Sequence, residues 1–592
     1  MSLHSSGESM PKDKVESISP AKFFSQNRGI AGFDNPARAL YTTIRELVEN
    51  SLDACEAINV FPDIRIRLRK LTPEELRELG VIEHKPPEKK EEAGESAGEN
   101  KKDKEKEGEK ESVGLPEVFE VIVSDNGKGM PDSKIPVLLG KVLTSTKYRV
   151  KQHRGRFGLG LKMAIIYSLQ ELNTPVEVWS ATRRQDFVSY YSLKIDIVRN
   201  EPIIREHKRI SKRRYRDPWG RRLHHGTVVR LITLGDWTRA KSYILEYLKQ
   251  LAIITPYAAF LFEAPNGEKI YYERVSDHIP PPPKESRYHP SGIDAQTLIE
   301  LMKNNRRITM FEFLRKTFDR IGPKTAKKFL EELGVPPETK VSAVLKNDKL
   351  ITAFVRKAAV FKFTRPDASC LSPIGPELLK KGLKAILKPE VVFAIQRKPI
   401  SLQGHPLIVE VAVAYGGEIS PGLKLFRFAN RVPLLHRTRS DVAWRALEEI
   451  NLGRYKISDQ DPIVLAVSIV STKIPFPVTS KDFVDNVDIL RNEIKLAFMK
   501  VLRRLRRYLA KKEKIKRLAE RRKVFLKYIR RFAASVSRVL ASDPKYADVF
   551  EAREDVLYAY LIDSVDRNIL KGIEQASEGE MGGETGSTPE KE

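Results

Sequence analysis

The sequence predicts an α+β chain of several domains, and three observations carry that prediction. A length of 592 residues exceeds what one hydrophobic core serves, so about three or four domains are expected. Strand-like and helical runs interleave over residues 1–240 and again over 366–480. An all-helical stretch separates those two regions, and a long, strongly basic helix follows the second.

The first helix of interest spans 36–60. Asn35 can cap it, Pro36 suits its first turn, and no Gly or Pro interrupts YTTIRELVENSLDA. At about 100° per residue, Glu46, Asn50 and Asp53 share one face, while Ile44, Val48 and Leu52 share the opposite one. Residues 83–112 are low in complexity, nearly balanced in charge and almost free of apolar side chains, which predicts a disordered surface insertion. Strands are expected at 117–124, 176–182, 187–198 and 226–234, with a helix from about Leu159, so 1–240 reads as one layered α/β domain. HIPPPPKES near residue 280 marks a linker, giving a connector over 241–284. Residues 285–365 form a small helical domain, with periodic apolar positions in MFEFLRKTFDRI and TAKKFLEELG. Strand signals at 391–397, 407–415 and 463–470 define a second α/β domain over 366–500, with a long helix starting near 481. Residues 501–592 are a basic helical extension whose polar tail is expected to be disordered after Asp566.

A net charge of +27, from 105 basic and 78 acidic residues, favours a polyanionic partner such as nucleic acid over a merely soluble basic protein. The excess concentrates between Lys500 and Leu540, where 17 Lys or Arg face two Glu. Leu518, Phe525 and Phe532 recur there every seven residues, as on an amphipathic helix. That helix could line a DNA cavity, dock a partner or simply be solvated. No apolar run approaches the ~20 residues that span a bilayer, and the start lacks a secretory core. Two cysteines, Cys55 and Cys370, build neither a disulfide framework nor a four-cysteine metal site, which suits a reducing interior.

Three motifs carry chemistry. On the first helix, the Asn50 carbonyl suits a hard cation, and Glu46 one turn earlier can take a proton from a water held nearby. A solvated polar face is the bland alternative. The second motif, SDNGKGM, follows a strand. Asn126-Gly127 alone is more often a hairpin turn, yet Gly127 and Gly129 let a ligand approach the backbone, and a buried Asp125 could accept from an exocyclic amine such as adenine's. In the third, RGRFGLGLKMA, Gly155, Gly158 and Gly160 precede an apolar helical run, so backbone N–H groups can face a phosphate beside Lys162. Its spacing is neither the usual phosphate loop nor the dinucleotide fingerprint.

Taken together and in this order, the three motifs resemble the GHKL ATPases, whose α/β sandwich is the Bergerat fold. The resemblance implies ATP and magnesium as ligands, Glu46 as general base, Asn50 as magnesium ligand and Asp125 as adenine reader. It makes Gly155, Arg156, Phe157, Gly158, Leu159, Gly160, Leu161 and Lys162 the lid and phosphate cradle, with Thr227 of HHGTVVRL on a later strand. Asp53 takes a supporting role near the adenine.

Within that superfamily, QNRGIAGFDNPARALYTTIRELVENSLDA and LGKVLTSTKY…QHRGRFGLGLKMA are similar to the B subunits of archaeal topoisomerase VI. The second stretch adds Thr146 and Lys147 to the nucleotide contacts. The resemblance covers most of residues 20–500. It implies that 285–365 is a helix-two-turns-helix domain, that 366–500 is a transducer ending in a long helix, and that Lys473 of STKIPFP reaches the γ-phosphate, with Lys481 as the nearby alternative. It further implies dimerisation through the ATPase domain on ATP binding and an A-subunit partner in an A2B2 heterotetramer. Action on double-stranded DNA in the cytoplasm, at the nucleoid and away from any membrane, follows from the same resemblance. A MutL-like or chaperone-like ATPase without a cleaving partner is the second reading, and a purely structural DNA-binding protein the third.

Overall fold

The computed structural model describes residues 18–81, 117–144, 150–155, 158–477, 481–545 and 554–578. The 83–112 insertion, Thr146, Lys147, Arg156 and Phe157 lie outside them. One compact unit comprises the described residues up to Ile450 with Gln460–Phe498, and a second comprises Asn451–Asp459 and those from Met499 onward.

Helices α1 (Pro20–Gln26) and α2 (Pro36–Glu56) open the first unit. Asn35 caps α2 by accepting from the Arg38 N–H at 2.9 Å, and Pro36 takes the first position, where a missing N–H costs nothing. Ile44, Val48 and Leu52 are fully buried beneath it. Then come β1 (Asp63–Lys70), α3 (Pro73–Glu78), β2 (Glu117–Asp125), α4 (Ile135–Gly140) and α5 (Gly160–Leu172). Strands β3 (Val176–Ala181), β4 (Phe187–Asp196), β5 (Glu201–Ser211) and β6 (Gly226–Gly235) follow, then α6 (Trp237–Ile254), β7 (Ala259–Glu263) and β8 (Lys269–Tyr272).

The eight strands form one sheet in the order β5-β4-β3-β6-β2-β1-β7-β8. Neighbours are antiparallel except β1 and β7, which run parallel from Asp63 opposite Ala259. Helices α2, α5 and α6 pack together, with α2 and α5 on β6. Two features of this layer differ from expectation. Strand β1 is not among the expected strands, although Ile64, Ile66 and Leu68 alternate inward between arginines. The stretch expected as a connector, 241–284, supplies most of α6 and all of β7 and β8, so the sheet runs past residue 240. Those strands are short, but Phe260 and Phe262 alternate into the core.

Helices α7 (Ala295–Asn304), α8 (Met310–Thr317), α9 (Pro323–Leu333), α10 (Val341–Val344) and α11 (Asp348–Val360) enclose their own core around Phe313, Phe318, Phe329 and Phe354. The second sheet region begins with α12 (Pro376–Leu387) and contains β9 (Val391–Gln396), β10 (Ile400–Leu402), β11 (His405–Tyr415), β12 (Leu423–Ala429), β13 (Val432–Pro433), α13 (Val442–Glu448) and β14 (Ile463–Ser471). Its order is β10-β11-β14-β12-β13, with β9 also on β11. Central β14 is buried along its whole length, which explains its unbroken apolar run rather than an alternating one. Helix α12 packs on α6, and one hydrophobic core runs from Leu248 through Leu379 to Val464.

Helix α14 (Asp488–Ala541) starts seven residues later than expected, because Lys481 adopts a left-handed φ of +54° that no α-helix admits. In the second unit Ile529 and Ala533 are buried, while Phe525 and Phe532 stay 56% and 58% exposed. Helix α15 (Glu554–Glu578) corrects the expectation of a disordered tail after Asp566. Val565, Ile569 and Ile573 keep a four-residue spacing that the Gly/Glu-rich end hides. Arg522 holds Asp566 at 2.7 Å, joining α14 to α15.

Candidate active site

The face of α2 opposite its buried stripe opens into a cavity of about 1030 Å³. Glu46, Asn50 and Asp53 line it, together with Asp125, Gly129, Gly155, Thr227 and the segment Gly158 to Lys162. Residues far apart in sequence thus meet in one concavity. The cavity is large enough for a nucleotide-sized ligand.

Asp125 sits at the end of β2, buried, and is held on three sides. The Ser51 hydroxyl donates to it at 3.0 Å, the Gly127 N–H at 2.8 Å and the Thr227 N–H at 3.2 Å. Burial pushes its pKa up to about 6, against the pull of those donors. Asn126 turns the chain away from a hairpin: its side chain accepts from the Asp63 N–H at 2.9 Å and donates to the Phe61 carbonyl at 3.0 Å, and α4, not a strand, comes next. Gly127 is not part of the wall; it packs against Ala54. Gly129 has φ +68°, and a Cβ there would lie 2.0 Å from the Ala181 carbonyl oxygen, so the backbone approach admits only glycine.

Glu46 is half-buried and accepts from Arg45 at 3.0 Å. Behind it, Glu49 is buried, and burial raises its pKa, opposed by Lys481 and Arg45. The Lys481 ammonium stands 3.4 Å from Glu49 and 4.0 Å from Glu46. It arrives from the far end of the second sheet region and lines the cavity. Lys473 does not line it. The Ser471 hydroxyl accepts from the Lys473 N–H at 3.2 Å, turning the chain so that Lys473 is exposed, toward Asp294. The lysine placed against the expected base is therefore Lys481, and the register that favours Lys473 does not survive folding. Asp482, the next residue, fixes the loop through a 2.7 Å ion pair with Arg38.

Lys162 lies in the first turn of α5, 3% exposed, with burial lowering its pKa to about 8 and its ammonium donating to the Thr144 carbonyl. The N-terminus of α5 brings unsatisfied N–H groups to the cavity. Asp53 is tied to Arg154 at 2.8 Å, so it braces the approach to the glycine segment as well as lining the cavity. Sequence reasoning missed Ser51, Lys128, Gln152 and Thr144, which also line it. Ser51 was legible one position beyond Asn50; the others lack any pattern.

A magnesium ion implied by the family fits the donors present. Asn50 is exposed into the cavity one turn from Glu46, and one carboxamide oxygen suits an ion that keeps water and phosphate oxygens as its remaining ligands. Among the described residues no group of three His, Cys, Asp or Glu makes an all-protein metal cage. No helix among them is long and apolar enough to cross a membrane.

A family profile described as "Histidine kinase-, DNA gyrase B-, and HSP90-like ATPase" matches residues 104–215. One described as "Topoisomerase VI B subunit, transducer" matches residues 366–521. The chain is 39% identical over 538 residues to the B subunit of type 2 DNA topoisomerase 6 from Sulfurisphaera tokodaii, covering 90% of this chain and 91% of that protein. It is 38% identical over 539 residues to the proteins of the same name from Saccharolobus islandicus and Saccharolobus shibatae, covering 90% of this chain and 92% of the S. islandicus Y.N.15.51 protein.

Proposed function

Because the chain belongs to the family of type 2 DNA topoisomerase 6 B subunits, we propose that it binds and hydrolyses ATP to drive DNA strand passage through a break made by a partner A subunit. The observation that carries this reading is the meeting of Glu46, Asn50, Asp125, the glycine segment and Lys481 around one cavity. Asp125, held by three donors, offers its carboxylate to the adenine amine. The start of α5 cradles phosphate. Glu46 orients the attacking water and takes its proton as the water oxygen bonds to the γ-phosphorus and the bond to the β-phosphate oxygen breaks. Lys481 lies where charge builds on the γ-phosphoryl group, and Arg45 keeps Glu46 aimed. Asn50 holds magnesium, whose contribution is to neutralise phosphate charge.

ATP binding closes two copies through their ATPase domains in an A2B2 assembly, which acts on double-stranded DNA in the cytoplasm, at the nucleoid. Residues 285–365 serve as the helix-two-turns-helix domain and 366–500 as the transducer. The basic helix borders the DNA path. Likeness to these relatives over 90% of the chain, transducer included, disfavours a MutL-like or chaperone-like ATPase. A supercoil-relaxation assay with a candidate A subunit tests the reading. Relaxation is expected only with both subunits and ATP, and to be lost in Glu46→Ala. ATP turnover without relaxation in any pairing would favour the second reading.

A further inference from the structure

Outside the cavity, the most unusual polar cluster lies where the second sheet meets α2. Asn430 and Arg431 form the tight turn between β12 and β13, and both take left-handed φ values, +49° and +66°. Neither is glycine, so the turn is strained, and its two side chains reach toward the segment that leads into the glycine loop. Asn430 donates to the His153 carbonyl at 3.0 Å and to the Ser471 carbonyl at 3.0 Å, and accepts from the Ser471 N–H at 3.0 Å. Arg431 is 2% exposed; it donates to Glu56 at 3.1 Å, to the Tyr257 hydroxyl at 3.0 Å and to the Ser372 carbonyl at 2.7 Å.

Glu56 ends α2, one turn after Asp53. Arg154 grips it at 2.6 and 2.9 Å while holding Asp53 at 2.8 Å, and the Tyr257 hydroxyl donates to it at 2.6 Å. Burial pushes the Glu56 pKa up, but the Arg154 and Arg431 guanidiniums outweigh it and hold the carboxylate below the ordinary range. Gln152 exchanges two hydrogen bonds with the Ser372 backbone, at 2.7 and 3.2 Å. Residues 152–154 are thus clasped between the end of α2 and the β12–β13 turn, immediately before Gly155 at the cavity wall. Asn430 also touches the end of β14, from which the chain continues to Lys481. Two routes from the second sheet into the cavity start at one turn.

We infer that Asn430 and Arg431, acting through His153, Arg154 and Glu56, are positioning residues that couple closure of the glycine loop on nucleotide to the β12–β13 strand pair. They touch no nucleotide themselves. The inference rests on the reading of the cavity as an ATP site. A purely structural clasp would stabilise the fold and leave the catalytic step alone; a coupling clasp sets that step.

Asn430→Gly separates these. Glycine occupies the left-handed turn without strain, so the fold is retained, yet the bonds to His153 and Ser471 are gone. With the full chain, steady-state ATP hydrolysis is expected to lose about 10-fold in kcat with KM nearly unchanged, since displaced positioning groups act on the reacting geometry. Hydrogen exchange supplies a second readout: a non-hydrolysable ATP analogue should slow exchange in residues 423–433 of the wild type and not in Asn430→Gly. Arg431→Lys keeps the charge but loses the planar fork, and should move kcat the same way. Should it fail to fold, Asn430→Gly alone decides. A wild-type kcat in Asn430→Gly, a rise confined to KM, or an intact exchange response would each overturn the coupling. A wild-type chain that turns over no ATP would instead sink the reading of the site.

Discussion

Gly160→Ala is a small change with a consequence that the structure makes calculable. Gly160 opens α5, and a Cβ there would lie 1.8 Å from one Glu46 carboxylate oxygen, 2.0 Å from its Cδ and 2.5 Å from its Cγ. Rotating the carboxylate alone relieves nothing, because the Cγ is also overlapped. Glu46 has to retreat by roughly 1.5 Å to regain ordinary contact distance, leaving the geometry that its 3.0 Å bond to Arg45 supports. A general base displaced by about 1 Å costs on the order of 100-fold in rate. The fold should not suffer: Gly160 has no left-handed φ, and alanine favours a helix over glycine by about 1 kcal/mol. Gly160→Ala should therefore melt at or above the wild-type temperature and hydrolyse ATP about 100-fold more slowly. Steady-state turnover alongside a thermal melt measures both. A folded variant with wild-type turnover would refute the placement of Glu46 at the reacting centre.

Three further outcomes are expected. Lys481→Ala should cut ATP turnover about 10²–10³-fold, whereas Lys473→Ala, at an exposed position, should leave it near wild type; the reverse result in the same assay would restore the other register. Asp125 has a raised folded pKa, so the folded chain binds its proton more tightly than the unfolded chain, and this stabilisation is full near pH 3.8 and lost as pH rises through about 6. Asp125→Asn should remove that slope from melts between those values and weaken nucleotide binding at pH 7 by calorimetry, and an unchanged slope would count against the assignment. Replacing Arg503, Arg504, Arg506 and Arg507 with Gln should flatten the salt dependence of DNA binding by up to about 0.9 per contact, measured by titration at several salt concentrations, and leave DNA-free ATP turnover unchanged.

The parts legible in the sequence are those whose signal is local. The capped α2 helix with Glu46, Asn50 and Asp53 on one face is written in a period of 3.6, and Asn35 and Pro36 mark its start within two positions. The glycine spacing around Gly129 and Gly158 and the unbroken apolar run of β14 are equally local. Strands β7 and β8 were harder, since five and four residues hold too few alternations to stand out from a linker. The helical run beyond Asp566 is hidden by the composition that follows it.

By itself the sequence determined that this is an α+β chain with a nucleotide-type motif set, because motif chemistry and helical periodicity need only neighbours. Which lysine faces Glu46 was decided by the tertiary structure. Lys473 and Lys481 share one loop and differ only in how a Ser471 turn and the Arg38–Asp482 ion pair aim them. The same holds for Glu56, Arg154 and Arg431. Their roles depend on a buried cluster assembled from positions hundreds of residues apart, and long-range packing, which sets the dielectric and the distances, leaves no mark on the local pattern.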